Sequence, residues 1–357
     1  MNSARADTLA GTLLGMALGD AIGLPREGLT PARAARRFGA VRGHALLLGR
    51  GMVSDDTEHA CMTGQALLAS GAQPARLARS LAWRLRGWLL GVPAGVGFAT
   101  LRAIGRLWLG WSPATSGVRS AGNGPAMRAP IIGACLHGDP VALAAAIAVA
   151  TRITHRDPRA DDGALAIALA TAHAARRGAA VDAAALLAEL RGRCRHPATQ
   201  QALADVDAAL ACGEPTAALA ARLGLGRGVT GYVLHTVPIA LHAWLRQPAA
   251  YRAIVSEVVA LGGDIDTVAA IAGGLAGTTV GGAGLPADWL AGLWEWPRSA
   301  AWIRRLAAAL ASAFPDGRAQ GPAPTVPLCW PGLALRNPLF LAIVLGHGLR
   351  RLAPPYR

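Results

Sequence analysis

The run from Thr267 to Ala287 carries no charged residue, and Asp264 and Asp266 stand directly ahead of it. A stretch of that length either crosses a bilayer or fills the middle of a packed core. It contains six glycines and several threonines, and two carboxylates guard its head. Those features favour a buried core helix. Leu9 to Gly19 poses the same choice, with Arg5 upstream in the manner of a signal peptide. Asp7 and Asp20 bracket that run and no small-residue cleavage site follows, so it too reads as core.

Around these two runs the pattern is helical from end to end. Periodic segments at 6–21, 57–70, 141–151, 159–177, 182–193, 198–211 and 215–223 are punctuated by Gly, Pro or Asp. Further segments at 231–246, 249–261, 267–280 and 299–314 follow, and period-2 alternation is absent. The fold class expected is all-α, a multi-helix bundle built on closely packed Ala and Gly. Two Gly-rich connections, 39–53 and 91–124, are long enough to suggest functional loops. The domain expected is residues 1–314. Residues 315–357 would form a Pro-rich linker and a last helix, Leu335–Leu352, packing on it.

Composition excludes several chemistries. Of 35 basic residues none is Lys, so a Walker-type phosphate lysine, a Schiff base and a pyridoxal-phosphate anchor are all ruled out. The net charge of +14 is spread as scattered arginines, not as one basic helix face, and this argues against nucleic-acid binding. The five cysteines, Cys61, Cys135, Cys194, Cys212 and Cys329, form no C-x-x-C pair. They read as reduced thiols of a cytoplasmic protein, not as a disulfide framework or a zinc site.

Two acidic clusters carry the chemistry. In the first, Ser54 is placed to cap a helix whose first turn holds Asp55 and Asp56. The second is Asp264, Asp266 and Thr267 at the head of the most apolar helix. Buried carboxylates need a counter-charge, either an arginine or a cation. Hard oxygen donors of this kind suit Mg²⁺, Mn²⁺ or Ca²⁺ better than Zn²⁺. If the two helix starts meet, their six oxygen-bearing side chains suffice for two metal ions. Three further segments complete the set. The glycine-rich Gly122-Asn123-Gly124, followed by Pro125 and Arg128, is expected to present free N–H groups to an anion. His155, ahead of the 159–177 helix, is placed to contact a ring or ribose. Glu27 lies just beyond the first helix, where it could activate or orient water, while Asp20 is expected to anchor the turn.

In this order the motifs resemble the ADP-ribosylglycohydrolase family, which includes the dinitrogenase-reductase-activating glycohydrolases. The matching segments are GTLLGMALGDAIGLPRE (11–27), SDDTE (54–58), GNGPAMR (122–128), THRDP (154–158) and GGDIDT (262–267). The resemblance implies an orthogonal bundle with a binuclear Mg²⁺ or Mn²⁺ centre. Its ligands would be Ser54, Asp55 and Asp56 from one side and Asp264, Asp266 and Thr267 from the other. It implies catalytic roles for Glu27 and Asp56, with Ser120, Gly122, Asn123, Gly124 and His155 binding the substrate. The implied reaction is hydrolysis of the bond joining ADP-ribose to a protein side chain, with arginine one such side chain. The partners implied are an ADP-ribosylated protein and the product ADP-ribose, handled by a cytoplasmic monomer without membrane. The 91–100 loop lacks an acid that some arginine-directed members carry, and Ser54 stands where Thr is usual in the family. A non-catalytic ADP-ribose-binding relative is the alternative.

Overall fold

A computed structural model describes residues 2–351. Seventeen α-helices are present among the described residues. They begin with α1 (Asn2–Gly23), α2 (Pro31–Phe38), α3 (Asp55–Ser70), α4 (Pro74–Leu90), α5 (Phe98–Trp108), α6 (Ala129–Leu136) and α7 (Pro140–Arg152). Next come α8 (Pro158–Arg177), α9 (Ala183–Arg193), α10 (Pro197–Ala211), α11 (Thr216–Arg222), α12 (Val233–Arg246) and α13 (Tyr251–Val259). The last four are α14 (Ile265–Val280), α15 (Ala287–Gly292), α16 (Ala300–Ala313) and α17 (Trp330–Arg350). The described residues contain no extended strand, only isolated bridges such as Val118–His155 and Gly122–Tyr232. The fold is all-α, as expected.

The two apolar runs form the centre. α1 and α14 lie against each other, surrounded by α3, α6, α8, α12, α13 and α16. The approach is close enough that a Cβ on Gly15 would stand 2.3 Å from the Gly273 carbonyl oxygen. Small residues are therefore a packing requirement there, since backbone has nowhere to move. Polar groups inside this contact find partners. Thr12 and Thr278 share a hydroxyl hydrogen bond of 2.8 Å, and Tyr251 donates to the Gly15 carbonyl at 2.6 Å.

Two expectations need correction. The 91–124 segment is not one connection, because α5 lies inside it. Thr100, Ala103, Ile104 and Leu107 give α5 a buried stripe at helical spacing, which Gly97 and Gly105 obscure in the sequence. The last helix begins at Trp330, earlier than Leu335, because Pro331 is acceptable in a first helical turn. Its expected end at Leu352 lies outside the described residues. By length and composition, Ser3–Arg26 and Trp330–Arg350 are both apolar enough to cross a membrane. The first is 94% buried inside the protein and the second 28% buried.

Candidate metal centre

The site is assembled by two helix starts and one clamped loop. Ser54 caps α3, accepting from the Asp56 amide at 3.3 Å and donating to Asp56 Oδ2 at 3.2 Å. Asp20, at the end of α1, holds this start in place. It accepts from the amides of Ser54 (2.9 Å) and Thr57 (3.2 Å) and from the Thr57 hydroxyl (2.5 Å). Asp20 thus anchors the α3 start, not its own turn. Burial pushes its carboxyl up to about 7, against the opposing pull of these hydrogen bonds.

The head of α14 is fixed by backbone. Gly263 has φ +88°, and a Cβ there would lie 1.9 Å from the Val229 carbonyl oxygen. Its amide donates to Leu29 O (2.8 Å), its carbonyl accepts from Gly28 N (2.7 Å), and Asp264 N donates to Val229 O (2.8 Å). The chain just after Glu27 is therefore stitched to the chain just before Asp264. Ligand atoms of Glu27, Asp264 and Asp266 all lie within 4.8 Å of one another.

The two clusters meet. Thr267 Oγ1 donates to Asp56 Oδ2 at 3.1 Å and lies 3.4 Å from Asp264 Oδ1. Ser54, Asp55, Asp264, Asp266, Thr267 and Glu27 line one cleft of about 530 Å³. Asp56 is 1% exposed and is not among the residues lining the cleft. Burial first, then mutual repulsion, holds the carboxyls of Asp55, Asp56 and Asp266 well above the ordinary range. Burial also raises Asp264, which hydrogen bonds from Asn123 and Thr267 partly offset. No arginine forms a salt bridge to any of the four among the described residues, so the arginine alternative for their counter-charge fails. Buried Asp56 Oδ1 and Asp266 Oδ1 have no hydrogen-bond partner among the described residues. Orphaned anionic oxygens in a hard-donor set are what a divalent cation would satisfy.

The rest of the cleft is polar on one side. Asn123 Nδ2 donates to Asp264 Oδ2 (2.6 Å) and to Thr236 Oγ1 (3.0 Å), tying the glycine loop to the acidic cluster. Ser120, Gly122, Gly124 and His155 line the cleft with it. The expected anion cradle is corrected in part. The Gly122 amide is taken by Ser120 Oγ (3.2 Å) and the Asn123 amide by Gly231 O (2.9 Å). Arg128 is fully buried, with Nη2 donating to Thr154 Oγ1 at 2.5 Å, so it serves the wall and not the cleft. Thr154 Oγ1 in turn lies 2.9 Å from His155 Nδ1. Burial and the Arg128 charge push the His155 ring down to about 3, so it is neutral at physiological pH. Residues the sequence did not single out also line the cleft: Ala94, Phe98, Thr100, Phe340 and Val344.

Residues 1–320 match the profile of the ADP-ribosylglycohydrolase family. Over 295 residues the chain is 29% identical to ADP-ribosyl-[dinitrogen reductase] glycohydrolase of Rhodospirillum rubrum, covering 80% of this chain and 90% of that protein. An uncharacterized protein of Archaeoglobus fulgidus is 29% identical over 300 residues, with 79% and 90% covered. Among solved structures, an ADP-ribosylglycohydrolase-related protein complex superposes with a TM-score of 0.66 at 29% identity. That match covers 87% of this chain and 99% of that one. A profile match over most of the length, on a bundle that brings both aspartate clusters to one cleft, places this chain in the ADP-ribosylglycohydrolase family, hydrolases of ADP-ribose linkages.

Proposed function

We propose that the cleft hydrolyses the bond between the anomeric carbon of ADP-ribose and a modified protein side chain, with two divalent cations, Mg²⁺ or Mn²⁺. Ser54, Asp55 and Asp56 would hold them from α3, and Asp264, Asp266 and Thr267 from α14. The observation that supports this most directly is the Thr267–Asp56 hydrogen bond, with orphaned oxygens on Asp56 and Asp266 beside it. When bound, such ions polarise the ribose hydroxyls and acidify a water.

The chain's own groups account for the remaining work. Glu27 is the carboxylate nearest Asp264 and Asp266 that lies outside the six-donor set. Desolvation by the cleft walls and the Asp264 charge raise its affinity for a proton, which Arg351 partly offsets. It is suited to take a proton from the attacking water and deliver it to the departing side-chain atom. Ser120, Asn123 and His155 bind the ribose and phosphate side. Asp56, buried and outside the cleft lining, shapes the set through its hydrogen bonds to Ser54 and Thr267. A non-catalytic ADP-ribose binder is the competing reading, and the presence of all four aspartates with Glu27 counts against it.

The test is ADP-ribose release from arginine-linked and serine-linked substrates, with Mg²⁺, Mn²⁺ or EDTA. Release that EDTA abolishes is the expected result. Full activity in EDTA overturns the metal assignment, and ADP-ribose binding without turnover favours the competing reading.

A further inference from the structure

The family match ends at residue 320, before α17 starts at Trp330. Yet α17 reaches the cleft, where Phe340 and Val344 are part of the lining. Phe340 is 1% exposed on a helix whose Leu335, Leu339, Leu345 and Leu349 all face solvent. It packs with Leu24, Leu46 and Met52, joined by Ala94, Ile343 and Val344, in a cluster separate from the main core. Leu24 opens the short 3₁₀ turn that ends immediately before Glu27. The apolar wall therefore stands on the Glu27 side of the cleft.

The helix is pinned along its length. Arg336 forms a two-point ion pair with Glu295 (2.9 and 2.7 Å) and donates to Val53 O at 2.6 Å. Asn337 Nδ2 donates to Gly91 O at 2.7 Å, which carries the 91–100 loop to the same wall. At the far end His347 Nε2 lies 2.9 Å from Pro25 O, and Arg351 donates to the carbonyls of Pro25 (2.6 Å) and Glu27 (2.7 Å). The turn presenting Glu27 is thus braced by α17.

Given the reaction proposed above, the side chain that departs from ADP-ribose lies next to Glu27, and α17 borders that space. We infer that α17 is a specificity-determining wall: Phe340 and Val344 fit the cleft to an uncharged attachment, such as an O-linked serine, in preference to a guanidinium. Leu24, Ala94, Phe98, Phe340 and Val344 offer no carboxylate, Asp55 belongs to the proposed ion set, and Glu27 is the proposed proton carrier. A guanidinium pressed against this wall loses water with no carboxylate besides Glu27 to face it. The Phe340 ring cannot readily compensate, because the Arg336 guanidinium already lies 4.1 Å from its centroid. A serine attachment brings a methylene and no charge.

The experiment uses the full chain with Mn²⁺ and measures kcat/KM on serine-linked and arginine-linked ADP-ribosyl peptides. Phe340→Ala and Val344→Asp are compared with the unaltered protein, and the readout is the ratio of the two substrates. A folding defect lowers both rates together and leaves that ratio alone. The expected result is a preference for the serine linkage of about tenfold or more, shifted toward arginine by about tenfold in Val344→Asp. Phe340→Ala is expected to narrow the ratio. A preference for arginine in the unaltered protein, or a ratio that neither variant moves, overturns the inference and leaves the proposed hydrolysis standing. Release from neither substrate overturns the proposed hydrolysis, and this inference with it.

Discussion

Thr267 donates its hydroxyl to Asp56 Oδ2 at 3.1 Å across 211 positions of sequence. That single bond joins the starts of α3 and α14. With Ser54 on the same oxygen, it leaves Asp56 Oδ1 buried and unsatisfied. Thr267→Val keeps the shape and removes the donor. We expect its Mn²⁺ affinity to fall by at least about tenfold, with helix content unchanged by circular dichroism. Calorimetric titration measures this directly, and affinity equal to the unaltered protein would place the ions elsewhere.

Glu27 is expected to act on rate more than on affinity. Its carboxyl is drawn toward the protonated state by desolvation in the cleft and by Asp264, with Arg351 opposing. Glu27→Gln keeps the shape and abolishes proton transfer. We expect kcat to drop by about 10²- to 10⁴-fold with KM little changed. Steady-state kinetics at saturating Mn²⁺ separate the two parameters, and an unchanged kcat removes Glu27 from the mechanism.

The acidic clusters were legible because a carboxylate beside an uncharged helix is anomalous on elementary grounds. Asp264 and Asp266 could not be placed as surface residues, and Ser54 advertised a helix start. What stayed hidden depends on distant partners. Asp20 looked like a local turn residue because its true partners, Ser54 and Thr57, sit more than thirty positions away. Arg128 looked available to an anion because nothing near it in sequence reveals that Thr154 and the wall bury it. The tail reads as a last helix packing on the bundle, but nothing in its sequence shows that Phe340 reaches the cleft. α5 was obscured by Gly97 and Gly105, which read as loop punctuation until Ile104 and Leu107 are seen buried.

Arg336 holds α17 to the α3 side of the protein through buried charge. Glu295 takes two of its hydrogen bonds, and Glu58 Oε1 lies 3.5 Å from Nη1 while also pairing with Arg298 at 2.6 Å. All four side chains are at most 4% exposed. Arg336→Met strands the Glu295 carboxylate and the Val53 carbonyl, and is expected to cost about 3–5 kcal/mol. Adding Glu295→Gln should recover part of that loss, because the stranded charge is gone. Urea unfolding of the single and double variants checks the non-additivity, and simple addition of the two losses would contradict a coupled pair.

His242 offers a clean pH signature away from the metal ligands. Its ring is buried, with Nδ1 3.1 Å from Thr216 Oγ1 and Nε2 without a partner. Burial, then the Arg246 charge, push it down to about 4. In the unfolded chain the same ring titrates near ~6.5. Above that pH neither state is protonated, and the group contributes no pH dependence. As pH falls from about 6.5 toward 4, the unfolded chain takes up a proton that the fold refuses. Stability then drops by up to about 1.4 kcal/mol per pH unit. Asp20, raised to about 7, works the other way, because the fold holds its proton more tightly than the unfolded chain does. Total stability therefore mixes signs, and only a difference measurement isolates His242. The urea-unfolding gap between the unaltered protein and His242→Gln should narrow from pH 7 to pH 5 by about 2 kcal/mol, since the variant has no imidazole to titrate. A gap that stays constant would mean the ring is protonated as easily in the fold as out of it.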